Sequence, residues 1–164
     1  MGKLPPGYEI RLYRDSDVSG YIELMAKAGF TGWTEKHVLD TLARVLPDGF
    51  FVAVHTSTQR LVATAMALHS PLAGLHPYAG ELGWVAGDPE HSGKGLGFAV
   101  CAAVTARFLR GGYRRIYLRT DDFRLPALRI YLRLGYRPLL HMADMEARWR
   151  KVCEILQMPF QPGV

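Results

Sequence analysis

Two cysteines in 164 residues are too few for a disulfide framework. Cys101 falls within a helical run of small apolar residues, which points to a buried free thiol and a reducing, cytoplasmic setting. No apolar run approaches the roughly 18 residues that a bilayer-spanning helix needs. The opening Met1-Gly2-Lys3-Leu4-Pro5-Pro6 lacks the apolar stretch of a secretory signal, and Pro6 breaks the myristoylation pattern. The six histidines and two cysteines show neither H-x-x-x-H nor C-x-x-C spacing, so no metal site is expected. Internal repeats, low-complexity tracts and linkers are also missing, and one domain over residues 1–164 is expected.

What is present is a globular composition with a positive balance. Hydrophobic residues make up 49% and charged residues 21%, enough for a continuous core. Twenty basic against fifteen acidic residues leave a formal charge of +5, which suits an anionic partner. The arginines are spread from Arg107 to Arg137, without a lysine-rich tail or interleaved stacking aromatics. That pattern argues against nucleic acid and membrane surfaces and leaves a small polyanion.

Residues 8–13 alternate as a strand. Asp15 can cap a helix carrying Val18, Tyr21, Ile22 and Met25, and Thr34 a second carrying Val38, Leu42 and Val45. Pro47-Asp48-Gly49 reads as the stop of that second helix. Residues 50–54 and 61–68 read as an antiparallel hairpin, followed by a loop over residues 70–80 expected to be mobile. Residues 81–86 form a fourth strand, 115–119 a fifth and 136–140 a sixth. Between them come a helix ending at Gly111-Gly112, a short helix opening at Pro126, and a last helix over residues 144–156.

The most informative segment joins the fourth strand to the next helix: Ser92-Gly93-Lys94-Gly95-Leu96-Gly97. Alternating glycines let the backbone approach a ligand and aim N–H groups outward, and the helix that follows favours an anion at its N-terminus. A dinucleotide fingerprint needs G-x-G-x-x-G, and a nucleotide-triphosphate loop needs Gly-Lys followed by Ser or Thr. Neither fits, since the spacing is G-x-G-x-G and Gly95 follows Lys94.

The turn resembles the acyl-CoA loop of the GCN5-related N-acetyltransferase (GNAT) superfamily, (Gln/Arg)-x-x-Gly-x-(Gly/Ala), with Ser92 in the first position. A second family signature, Asn-x-x-Ala-x-x-x-Tyr-x-x-x-Gly-(Phe/Tyr), is matched at Ala127, Tyr131, Gly135 and Tyr136, with Arg124 replacing Asn. The resemblance implies an α/β (α+β) fold. Its central mixed, twisted sheet has about six to seven strands flanked by helices, with a cofactor cleft where the fourth and fifth strands splay. The helical character of residues 143–155 stands where the family has a seventh strand.

The resemblance implies an acetyl-CoA-dependent N-acetyltransferase acting on a primary amine by direct attack in a ternary complex. Cofactor contacts would come from Val85, Ala86, Gly87, Ser92, Gly93, Lys94, Gly95, Leu96, Gly97, Phe98, Arg124 and Tyr131. Such transfer needs an amine that loses a proton, donors for the oxyanion, and a proton for the departing thiolate. By matched position Tyr131 is the candidate general acid, though its place on an amphipathic helix also suits packing. Glu81, eleven residues before Ser92, is the candidate base if apolar neighbours such as Trp84 and Phe51 influence it. A solvated strand-end carboxylate is the alternative.

His69, His76 and His141 border the acceptor side implied by the family and are the fallback bases. His91 abuts the glycine turn and would touch the cofactor. The acceptor would be read by residues 16–45 and 70–80, where Phe30, Trp33 and Tyr78 hint at an apolar or ring-bearing amine. A small molecule or peptide is the expected partner, with a homodimer possible. A non-catalytic acyl-CoA-binding regulator is the competing reading.

Overall fold

A computed structural model describes residues 4–69 and 76–163; the expectation for the loop at residues 70–75 lies outside them. The chain divides into two compact units, Met1–Leu118 and Arg119–Val164.

The first unit is a five-stranded mixed sheet with helices on it. Strand β1 (Tyr8–Leu12) leads through a turn into helices α1 (Val18–Lys27) and α2 (Glu35–Leu42). Strands β2 (Val45–His55), β3 (Arg60–Leu68) and β4 (Gly80–Gly87) follow, then helix α3 (Leu96–Arg110) and a two-residue strand β5 (Ile116–Tyr117). The strands lie in sequence order, antiparallel except for the parallel β4–β5 pair. The sheet is thus one or two strands narrower than the sequence suggests. One core joins Tyr21, Leu24 and Met25 of α1 and Val38 of α2 to Phe50, Val52, Val54, Met66, Leu68 and Ala86 of the strands.

Local chemistry explains most element ends. Thr34 caps α2 by accepting from the His37 N–H at 3.4 Å. The cap of α1 falls at Asp17, not Asp15. Asp17 is held by Arg11 at 2.6 and 2.9 Å and by the Arg14 N–H at 2.8 Å, and Asp15 opens a 3-10 turn before it. Pro47-Asp48-Gly49 does not end a helix. It lies inside β2, and Val45, paired with Leu68, begins that strand instead of continuing α2. The register slips between Val45 and Phe50, with Asp48 at φ 54, which makes the segment a bulge. A Cβ on Gly49 would stand 2.7 Å from the Leu46 carbonyl oxygen, so the bulge needs glycine there.

The second unit holds α4 (Leu125–Arg133) and α5 (Met145–Leu156), packed through Leu128, Val152 and Leu156. Residues 136–140 are irregular, not a sixth strand. Pro138 has no N–H to give a ladder, and its carbonyl accepts from the Gly163 N–H at 2.8 Å. Among the described residues α5 and an irregular tail stand in place of a seventh strand. Cys101 is buried, and burial pushes its thiol up to about 12, so it packs as an inert apolar group. No helix among the described residues is long and apolar enough to cross a membrane.

Candidate active site

Strand β4 pairs with β3 from Glu81 to Gly87 but with β5 only at Gly80–Ile116 and Glu81–Tyr117. Past Glu81 the two parallel strands part, and β4 presents an edge of backbone N–H and C=O groups over residues 82–87. Val85, Ala86 and Gly87 lie along that stretch. The ladder ends where the family resemblance puts the splay of the fourth and fifth strands.

A second irregularity sits on the other edge of β4. Thr64 pairs with Ala86 and Met66 with Gly83, so Trp84 and Val85 together oppose Ala65. Trp84 carries φ 48, a left-handed conformation uncommon for a bulky side chain. The bulge changes which face Trp84 occupies. The Cβ direction of Gly80 meets Phe108 of α3, while that of Gly83 meets Leu68 in the core built on α1 and α2. Simple alternation would put Trp84 on the Gly80 side, yet it packs with the α1–α2 core. Alternation places Glu81 on that same face.

Glu81 is 6% exposed and accepts a hydrogen bond from the Tyr117 hydroxyl at 3.3 Å. It is therefore a buried carboxylate where the strands part, not a solvated strand end. The His76 ring stacks on Tyr117 at 4.4 Å, so the structure brings Glu81, Tyr117 and His76 together. His69 pairs through Nδ1 with the Tyr113 hydroxyl at 3.0 Å.

The glycine turn follows directly. Gly93 and Gly95 both have φ +75, and nothing stands within 4 Å of where their Cβ atoms would be. Gly95 is the N-cap of α3 and has no side chain to satisfy the first-turn N–H groups. With Lys94 present and no carboxylate between Ser92 and Phe98, this donor set fits a phosphate-bearing ligand. His91 lies beside it, its Nδ1 2.8 Å from the Tyr8 hydroxyl and its ring 5.0 Å from His55. Burial lowers its pKa, and His55 and Lys94 add to that against the opposing pull of Asp88 and Glu90.

Asp88, which sequence reasoning overlooked, anchors the turn. It is 3% exposed, caps Pro89–His91 by accepting from the Glu90 N–H at 3.0 Å, and pairs with Lys27 of α1 at 3.0 Å. Asp before Pro at a strand end was the available signal. Burial alone would raise its carboxyl; the Glu90 N–H and Lys27 more than offset that and hold it below the ordinary carboxylate range. Its stabilising effect is therefore full above about pH 4 and disappears as pH falls through the lower folded value. Asp88→Ala should cost about 1–3 kcal/mol at neutral pH. Urea unfolding should show the gap to wild type narrowing as pH falls below the ordinary carboxylate range.

In the second unit, Arg124 is the N-cap of α4, bonded to Asp121 at 3.0 Å and lying over the Phe123 ring at 5.3 Å. Pro126 is in the first turn as expected. Tyr131 is 7% exposed on the same helix, its ring 6.4 Å from that of Tyr136. His141 contacts the Leu139 carbonyl through Nδ1 at 3.3 Å.

A family model described as the acetyltransferase (GNAT) family matches residues 11–136. The chain belongs to that family. A mycothiol acetyltransferase from Thermobispora bispora is 31% identical over 144 residues, covering 82% of this chain and 48% of that protein. The chain spans only 28–48% of the length of the curated relatives it matches. Among solved structures, an acetyltransferase from Trypanosoma brucei is 25% identical with a TM-score of 0.63, covering 79% of this chain and 92% of that one. The structure of yncA from Salmonella typhimurium with its cofactor acetyl-CoA is 19% identical with a TM-score of 0.66, covering 79% of each chain. At that identity the GNAT fold is what is shared.

Proposed function

We propose that the chain is an N-acetyltransferase domain that moves acetyl from acetyl-CoA to a primary amine by direct attack in a ternary complex. The observation that carries this reading is the open edge of β4 leading straight into the Gly93–Gly95 turn and α3. Ser92, Gly93, Lys94, Gly95, Leu96, Gly97 and Phe98 would hold the diphosphate through backbone N–H groups. Val85, Ala86 and Gly87 would bond the amide-bearing arm as a strand would. Bound acetyl-CoA supplies an activated thioester. Arg124 would add a positive group toward the cofactor, and Tyr131 would hold a proton for the departing sulfur.

Glu81 is the base in this reading. Its carboxylate lies at the end of the open edge, and the Tyr117 O–H bond fixes one oxygen. As a carboxylate at that place Glu81 would take a proton from an ammonium, directly or through water. A cytoplasmic setting and a small-molecule or peptide amine fit the buried thiols and the implied chemistry.

The test is acetyl-CoA turnover against an amine library, followed by Glu81→Gln on the best acceptor. The variant should be slowed roughly 10²-fold or more at neutral pH. The deficit should shrink as pH rises toward the amine's own ionisation, where free amine needs no base. Wild-type rates across the series would move the base to His76, His69 or water. CoA binding without turnover on any amine would favour the regulatory module.

A further inference from the structure

An aromatic assembly in the first unit lies on the face of β4 that carries Glu81. Trp84 meets Trp33 at 4.8 Å and 88° and Phe30 at 6.1 Å and 82°, and Trp33 meets the Tyr21 ring at 5.3 Å and 84°. Phe30, Trp33 and Trp84 are each only partly buried. Three further features set this assembly apart from ordinary core packing.

The first is the strain at Trp84. A tryptophan at φ 48 in the middle of a strand is held there by the bulge, and that bulge turns the ring toward α1 and α2. The second is the segment opposite. Gly29 (φ +88) and Gly32 (φ +84) bracket Phe30 and precede Trp33, so both rings ride on a stretch that turns at glycine. The third is a polar atom without a partner. Tyr21 is 0% exposed, and its hydroxyl has no hydrogen bond. Burial raises its pKa, so it remains a neutral O–H among the rings. A buried unpaired hydroxyl is uncommon in a finished core.

We propose that Phe30, Trp33 and Trp84 form the acceptor wall, and that the acceptor is a primary amine carried on an aryl or similarly flat apolar group. The inference rests on the acetyltransferase reading above, because it takes the Glu81 face of β4 as the acceptor side. The ring of the acceptor lies against Trp33 and Trp84, and its amino group extends along β4 toward Glu81. Perpendicular aromatic walls favour a flat group, which can stack on one ring and meet the edge of the other. A linear alkyl amine fills neither.

The test uses 2-phenylethylamine and ethylamine as probes, each titrated calorimetrically into the full chain with and without saturating CoA. Removing a phenyl ring from water is worth roughly ten- to a hundredfold in affinity. Phenylethylamine should therefore bind at least tenfold more tightly, and the preference should fall below threefold in Trp33→Ala. Trp84→Ala should do the same, and Trp33 lies outside the strands should the bulge variant fold poorly. Equal affinities for the two amines, or a preference unchanged in Trp33→Ala, would overturn the proposal. The CoA titration is scored separately. A chain that fails to bind CoA sinks the acetyltransferase reading, while the amine titration without CoA still decides the wall.

Discussion

Gly95→Asp should remove measurable CoA binding while leaving the fold intact. Gly95 holds φ +75 as the N-cap of α3, with open space where a Cβ would point. An aspartate there places a carboxylate in front of the N–H groups that would receive the diphosphate. Like charges a few ångströms apart at a partly desolvated surface repel by several kcal/mol, and the carboxylate also occupies the donors itself. Affinity should fall at least a hundredfold by isothermal titration. Gly95→Ala separates backbone strain from charge, since it adds only a methyl in a left-handed conformation, worth about 1–2 kcal/mol. Unchanged CoA affinity in a folded Gly95→Asp protein would show that the turn is not the phosphate site.

Tyr131→Phe is expected to reduce turnover roughly 10²–10⁴-fold, the usual contribution of a positioned proton donor. Only a hydroxyl is lost, so the ring keeps its place on α4 near Tyr136 and melting should change little. CoA affinity should stay close to wild type, because the proton matters as the thiolate departs and not while the cofactor is simply held. A loss below about threefold on a competent acceptor would make Tyr131 a packing residue. Loss of CoA affinity with unchanged turnover would give it a binding role instead.

Several elements were legible in the chain because their causes lie within a few residues. Thr34 caps α2 through a residue three positions on, and Gly95 breaks into α3 through its own backbone freedom. The hairpin of β2 and β3 follows from two β-branched runs around a short polar turn. Where the expectations failed, the competing influence was distant. Pro47-Asp48-Gly49 looks like a helix stop, yet pairing with β3 draws it into a bulged strand. Residues 136–140 have strand-like side chains, but Pro138 cannot donate to a ladder.

The sequence by itself determined the family, through two signatures at the right separation, and the glycine turn, whose conformation needs no distant partner. Tertiary structure decided how the site is assembled. The divergence of β4 from β5 past Glu81 depends on how two strands pair across 36 residues of chain. The burial of Asp88 depends on Lys27, 61 positions earlier. Trp84 faces α1 and α2 only because one extra residue in β4 reverses its side, and period-two alternation read from sequence would place it on the other. Such features arise from pairing register and packing between remote segments, and composition and local spacing do not encode them.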